Sequence, residues 1–208
     1  SAADRIGIGR KGAYYAVTVN GQTLAFAASD VSLITAYGLA GNDSIAKADQ
    51  VIGAYMDGGA GNDTFLYTVG DGSDVIDGGS ESGATYPNYD VLAITGDANA
   101  RNFAIGKATS GTDINPTVND PAASNATDIL VRYDGPNGAT IRADEIERVT
   151  ITGGTASDTV TITDITGTAI APSTIVFDGG AGNDTITGGA GNDHLLGFAG
   201  DDTIDGGK

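Results

Sequence analysis

Aspartate recurs in this chain at a fixed distance behind glycine. The C-terminal segment reads GGAGNDTIT (179–187), GGAGNDHLL (188–196) and GFAGDDTID (197–205), three nonapeptides without a gap. The pattern also occurs upstream as GLAGNDSIA (38–46), GGAGNDTFL (58–66), VGDGSDVID (69–77) and GGTASDTVT (153–161). Each copy places a carboxylate sixth: Asp43, Asp63, Asp74, Asp158, Asp184, Asp193 and Asp202. Calcium takes roughly six to eight oxygen ligands, drawn from carboxylates and backbone carbonyls. Glycine lets a turn curl until several carbonyls converge, at backbone angles other residues avoid. One turn supplies half a coordination sphere and the turn one coil away supplies the rest, so ion binding and coil stacking become one event. The expected ligands are the carboxylates of Asp43, Asp63, Asp74, Asp184, Asp193 and Asp202. The expected carbonyl donors stand at positions one and three of the regular turns: Gly38 and Ala40, Gly58 and Ala60, Gly179 and Ala181, Gly188 and Ala190, Gly197 and Ala199. Asp184 and Asp202, 18 residues apart, should clamp one ion, and Asp43 and Asp63, 20 apart, another. Asp193 falls on the opposite edge and needs a partner one coil away. Asp158, flanked by Thr155, Ala156 and Ser157, is expected to be a weaker site.

Such turns must be carried by short strands. The eighth residue of each copy is apolar: Ile45, Phe65, Ile76, Val160, Ile186, Leu195 and Ile204. Six turn residues and a three-residue strand make half of a flattened coil, and two halves, about 18 residues, complete one right-handed turn. The fold expected is all-β, a parallel β-roll or β-solenoid with calcium ions between stacked GGxGxD turns. A larger duplication overlies the small repeats. Ser32–Thr35 before GLAGND resembles Glu147–Thr150 before GGTASD, and Ala54–Asp57 before GGAGND resembles Ile175–Asp178 before the later GGAGND. AVTVNG (16–21) and ILVRYDG (129–135) read as matching strands, expected to form wider rungs of the same coil. The organisation inferred is a first solenoid half over 1–96, a loop-rich insertion over 97–127 and a second half over 128–208. Pro116 and Pro121 speak against a central strand in the insertion.

Composition bounds what else the chain can be. Glycine numbers 33, tryptophan is absent and phenylalanine numbers five, which favours a thin core of Ile, Val and Ala over a thick aromatic one. Net charge is −17, from 27 acidic and 10 basic residues. That charge repels nucleic-acid phosphate, and acids gathered in glycine turns need counter-charge to fold. Without cysteine there are no disulfides and no thiolate metal sites. No apolar run reaches membrane-spanning length, and Ser1-Ala2-Ala3-Asp4 is not a signal peptide.

Catalytic motifs are missing. There is no HExxH and no GxSxG elbow, and the sole histidine, His194, sits seventh in a repeat. Glu145 and Glu147, two apart, would share one face of a strand, which reads as a solvated edge. The expectation is that the chain is not an enzyme.

The tandem GGAGND copies at 58–66, 179–187 and 188–196 resemble the RTX family of repeat-containing toxins, and among its members those of surface-layer, adhesin and filament type. The resemblance implies a parallel β-roll, calcium along both edges, export unfolded by type I secretion and folding outside the cell. It implies a secreted structural unit, or else the non-catalytic calcium-binding module of a secreted hydrolase or toxin. Read head to tail, Gly207-Lys208 followed by Ser1–Gly7 gives GKSAADRIG, with Asp sixth and Ile eighth. Copies are therefore expected to associate head to tail, as a homopolymer or a tandem array, and a cell-surface or polysaccharide ligand fits the adhesin variant.

Overall fold

The computed structural model describes residues 2–48, 52–70, 72–79, 89–108, 128–134, 139–168, 170, 175–190 and 193–208. The described residues form strands and turns, with one short 3₁₀ turn at Ala28–Asp30 and no α-helix. β1 (Arg5–Lys11), β2 (Tyr14–Val19) and β3 (Gln22–Ala27) make an antiparallel meander. The chain then alternates between two sheets. It passes through β4 (Ile34–Tyr37), β5 (Ser44–Lys47), β6 (Ala54–Asp57), β7 (Thr64–Thr68), β8 (Asp74–Asp77), β9 (Val91–Thr95) and β10 (Asn102–Lys107). β11 (Ile129–Asp134) and β12 (Ala139–Asp144) run back and forth beside β10. Alternation resumes with β13 (Arg148–Gly154), β14 (Thr159–Ile162), β15 (Ile175–Gly180), β16 (Thr185–Thr187), β17 (His194–Leu196) and β18 (Thr203–Asp205).

Each sheet has nine strands. One is ordered β17-β15-β13-β9-β7-β5-β1-β2-β3, the other β18-β16-β14-β10-β11-β12-β8-β6-β4. Pairing is parallel except at two places, β1–β2–β3 at one end and β10–β11–β12 in mid-sheet. The sheets are therefore mixed. AVTVNG and ILVRYDG, expected as rungs, fall in these antiparallel excursions, in β2 and β11. Their alternating patterns specify a strand but not its partner, and β2 has an antiparallel partner one two-residue turn away on each side, at Gly12-Ala13 and Asn20-Gly21. Within the expected insertion, Asn102–Lys107 is not loop but β10, pairing in parallel with β14. Residues 109–127 and the two prolines lie outside the described residues.

The two sheets face each other across a thin core. The eighth-position residues Ile45, Phe65, Ile76, Val160 and Ile186 are buried, Leu195 is partly buried, and Ile204 is 48% exposed on β18. Of the strands preceding the glycine turns, β4 buries Ile34 and Ala36 and β15 buries Ile175 and Phe177, whereas β16 buries only Ile186. Aromatic rings are not excluded from the middle. Phe103 stands 6.3 Å from Tyr133 and 6.4 Å from Phe177, and Tyr133 is 6.3 Å from Tyr67, centroid to centroid.

Candidate metal centre

Alternation between sheets gathers the turns along two edges. Turns leading into the β5, β7, β9, β13 and β17 sheet line the first edge, and turns leading into β8, β10, β14, β16 and β18 line the second. On the first, the N–H of Asp4 donates to Asp43 Oδ1 (2.6 Å) and that of Asp43 to Asp63 Oδ1 (2.7 Å). Asp63 N–H donates to Asp90 Oδ1 (2.7 Å), and Asp90 N–H to Glu147 Oε2 (2.8 Å). On the second, the N–H of Arg101 donates to Asp158 Oδ1, that of Asp158 to Asp184 Oδ1, both at 2.7 Å, and that of Asp184 to Asp202 Oδ1 at 2.9 Å. Each edge is a ladder in which one carboxylate oxygen ties a turn to the turn before it.

The other oxygen has a different role. Asp43 Oδ2 and Asp184 Oδ2 are buried without a hydrogen-bond partner. Both face the first glycine of their own turn and that glycine's neighbour one coil on. A Cβ on Gly38 would lie under 3.0 Å from both Asp43 Oδ2 and Gly58 O, and one on Gly179 under 3.0 Å from both Asp184 Oδ2 and Gly197 O. The same cradle repeats at Gly58 with Asp63 and Gly78 O, at Gly153 with Asp158 and Gly179 O, and at Gly188 with Asp193 and Gly206 O. These glycines are needed because carboxylate and carbonyl oxygens crowd the place of a side chain. An anionic oxygen buried without a donor is costly, and a hard cation satisfies it in the company of carbonyls. The donor set fits calcium. Among the described residues no group of three His, Cys, Asp or Glu side chains converges, so backbone carbonyls must complete any sphere.

The expected ligands divide accordingly. Asp43 with Asp63, and Asp184 with Asp202, stand in adjacent turns. Asp193 lies on the first edge, opposite Asp184 and Asp202, accepting from Gly189 N–H at 2.9 Å and facing Gly206 O. Gly58 and Gly197 turn their carbonyls into the cradles of Gly38 and Gly179, and Gly179 does so for Gly153. Two of the third-position carbonyls also tie neighbouring turns together. Ala60 O and Ala199 O accept from the N–H of Gly41 and Gly182, each at 2.8 Å, because Ala40 bridges Ala60 and Ala181 bridges Ala199 across coils. Ala190 is exposed, and Gly191 and Asn192 lie outside the described residues.

Asp74 has a cationic partner of its own. It holds the sixth place of its turn, but Lys47 Nζ lies 2.9 Å from its Oδ2, with both side chains fully buried, and Ala54 N–H donates to its Oδ1 at 2.7 Å. Burial pushes its carboxyl up and Lys47 opposes the rise. The ammonium also sits 5.5 Å from the centre of the Tyr67 ring. Asp158 is likewise pushed up by burial, opposed by the Arg101 and Gly154 N–H groups. Glu145 and Glu147 do not share a strand face: they lie in the turn between β12 and β13, Glu145 with a φ of 50°.

Sequence reasoning overlooked Asp90, Glu147 and Arg101 as ladder members. Asp90 stands 12 residues after Gly78, so the six-residue frame of the repeats does not reveal it. A Cβ on Gly78 would meet Asp90 Oδ2 and Glu145 O, as in the regular cradles. GDANAR (96–101) keeps the length but places arginine sixth.

No helix among the described residues is long and apolar enough to cross a membrane. No curated protein and no solved structure matches the chain. The family model of the RTX calcium-binding nonapeptide repeat, in four copies, matches residues 55–66, 68–82 and 178–208. GLAGNDSIA and GGTASDTVT lie outside the matched residues yet stand in the same ladders, with Asp43 and Asp158. With its oxygen cradles on the matched turns, the chain carries calcium-binding nonapeptide repeats of the RTX type.

Proposed function

We propose that the chain is a calcium-stabilised β-roll that serves a secreted or cell-surface protein as structure rather than as catalyst. One observation carries this reading: in both ladders a carboxylate oxygen is held against the next coil's glycine carbonyl, and at Asp43 and Asp184 it is buried without a donor. Gly38, Gly58, Gly179, Gly188 and Gly197, with Asp43, Asp63, Asp184, Asp193 and Asp202, would hold the ions. Bound calcium supplies positive charge between neighbouring coils. The chain's own part is to hold each carboxylate in place by the ladder N–H and to keep the cradle free of side chains.

Linkage sets the scale. An ion that binds only the folded state stabilises it by about 2.7 kcal/mol at a hundredfold excess over its dissociation constant. Extracellular calcium modules bind at roughly 10⁻⁴–10⁻³ M, so export into millimolar calcium suits such a fold. The non-catalytic reading draws support from His194, exposed at the head of β17, and from Glu147, engaged by the Asp90 N–H. Head-to-tail association belongs to the same reading, but not through the expected Ser1–Gly7 joint, because β1 is already paired with β2 and β5. β3 and β4 border one end of the two sheets and run in the same directions as β17 and β18, so a second copy could extend both sheets in parallel. A hollow of about 580 Å³ at that end is lined by Leu24, Phe26, Val31 and Leu33. The decisive experiment is circular dichroism with thermal melting in millimolar calcium and in EGTA. A β-rich, cooperative fold in calcium and a partly folded chain in EGTA are expected; identical spectra and midpoints would overturn the reading.

A further inference from the structure

Turn 96–101 is a repeat turn with the wrong charge. Gly96 opens it, Arg101 stands sixth and Phe103 eighth, buried as in the other copies. A Cβ on Gly96 would meet Gly153 O, just as one on Gly153 meets Gly179 O and one on Gly179 meets Gly197 O. The Arg101 N–H donates to Asp158 Oδ1 at 2.7 Å, the ladder bond of the second edge. Backbone and carbonyl are thus in place, and the carboxylate is absent. A guanidinium replaces it. Arg101 is 4% exposed and returns to its own turn, Nε to Asp97 Oδ1 at 3.0 Å and Nη2 to Asp97 Oδ2 at 2.5 Å. The paired charges cancel within the turn, which needs no external ion.

The neighbours along the second edge sort by the same criterion. Asp74 has the Lys47 ammonium. Asp158, next to Arg101, has Gly154 N–H on its Oδ2 at 3.0 Å. One coil further on, Asp184 Oδ2 is buried with no donor. Apolar burial follows the division. Around Arg101 the strands are long, six residues in β10, β11 and β12, and Phe103, Ile105, Val131, Tyr133 and Ile141 are buried between the sheets. Arg142 pairs there with Asp128 as well. Beyond β15 the strands shrink to three residues, and the last eighth-position residue, Ile204, is half exposed.

Resting on the calcium reading above, we propose that Arg101 is a built-in cation that stands in for a metal ion at its turn. The coils around it hold their fold without calcium, whereas residues 179–208 fold only when the ion is present. Residues 179–208 are then a calcium-responsive tail beside calcium-independent coils around Arg101, and the Asp43 and Asp63 turns keep their own ion sites on the first edge.

Hydrogen exchange of the full chain, read by mass spectrometry in EGTA and in calcium, tests the division. Peptides from 90–106 and 139–162 should stay protected in EGTA, while those from 179–208 lose protection and regain it with calcium. Uniform loss in EGTA would overturn this inference and leave the calcium reading standing; no change in any peptide would overturn that reading too. Arg101→Asp tests the residue itself. It restores the sixth-position carboxylate to a cradle that already has its carbonyl, so calorimetric titration should count an additional ion, and protection of 90–106 should become calcium-dependent. Unchanged stoichiometry with calcium-independent protection would refute the assignment. Arg101→Lys keeps the cation and should match the wild type in EGTA; loss of protection in 90–106 for that variant would count against the proposal, even if Arg101→Asp fails to fold in either buffer.

Discussion

Replacing Asp184 by asparagine should stabilise the protein in EGTA and destabilise it in calcium. The side chain is 1% exposed. Its Oδ1 accepts the Asp158 N–H at 2.7 Å, a bond that an asparagine Oδ1 can keep. Its Oδ2 has no donor, while Gly197 O lies across the cradle of Gly179. A buried acceptor without a partner costs roughly 1–3 kcal/mol, and more when it is charged. The substituted side chain would relieve that cost without the ion, because its amide is neutral and can donate toward the carbonyl. With calcium present the same change removes an anionic ligand, and losing one site at hundredfold saturation costs about 2.7 kcal/mol. The sign of the effect must therefore cross between the two buffers. Thermal midpoints and exchange protection of residues 175–208 would be measured for wild type and Asp184→Asn in each. Destabilisation of similar size in both buffers would refute the argument, since it would mean the carboxylate acts only as an acceptor for Asp158.

Three further outcomes follow from the same geometry. Gly179→Ala should lower calcium affinity and cost about 1–3 kcal/mol in calcium, because its Cβ would intrude on Asp184 Oδ2 and Gly197 O; Gly206→Ala, with nothing within 4 Å, should be near neutral in the same calorimetric and melting assays. Lys47→Met strands the buried Asp74 carboxylate and should cost about 3–5 kcal/mol in calcium and in EGTA alike, as read by urea denaturation; a cost seen only in calcium would mean that Asp74 also ligates an ion. Burial pushes Asp128 up to about 6, with Arg142 opposing and Asp144 adding to the rise. Its folded pKa exceeds the unfolded value of 3.8, so the folded state holds the proton more tightly. In EGTA, stability should rise as pH falls from about 7 through 6 and level off below about 4, and Asp128→Asn should flatten that slope of midpoint against pH.

How much could be read without coordinates depended on whether a residue's partner lay one coil away. Asp43, Asp63, Asp184 and Asp202 were legible because a spacing of 18 or 20 residues is the coil itself, and that period also fixed Ile45, Phe65 and Ile186 as buried. Asp90 was not, because it stands 12 residues after Gly78 in the sequence, although its carboxylate faces that glycine in the fold. The Lys47–Asp74 pair was illegible for another reason: it joins two sheets across 27 residues, and no period announces it. β2 and β11 had the strand pattern, but whether a strand stacks in parallel or folds back depends on the connection, which alternation does not encode.

Repeat regularity and apolar burial run in opposite directions along the second edge, and that opposition has a physical cause. A three-residue strand such as β16 or β18 buries one large apolar side chain at best, too little to offset the chain entropy of the turns beside it. On the reading proposed above, calcium bound in the tandem acidic turns supplies the missing term for those coils. Where the strands lengthen and aromatic rings enter, as around Phe103 and Tyr133, the apolar term suffices. The turns there are then free to drift from the consensus, and the charges left inside must be neutralised by the chain itself. Arg101 opposite Asp97 and Lys47 opposite Asp74 are the marks of that drift.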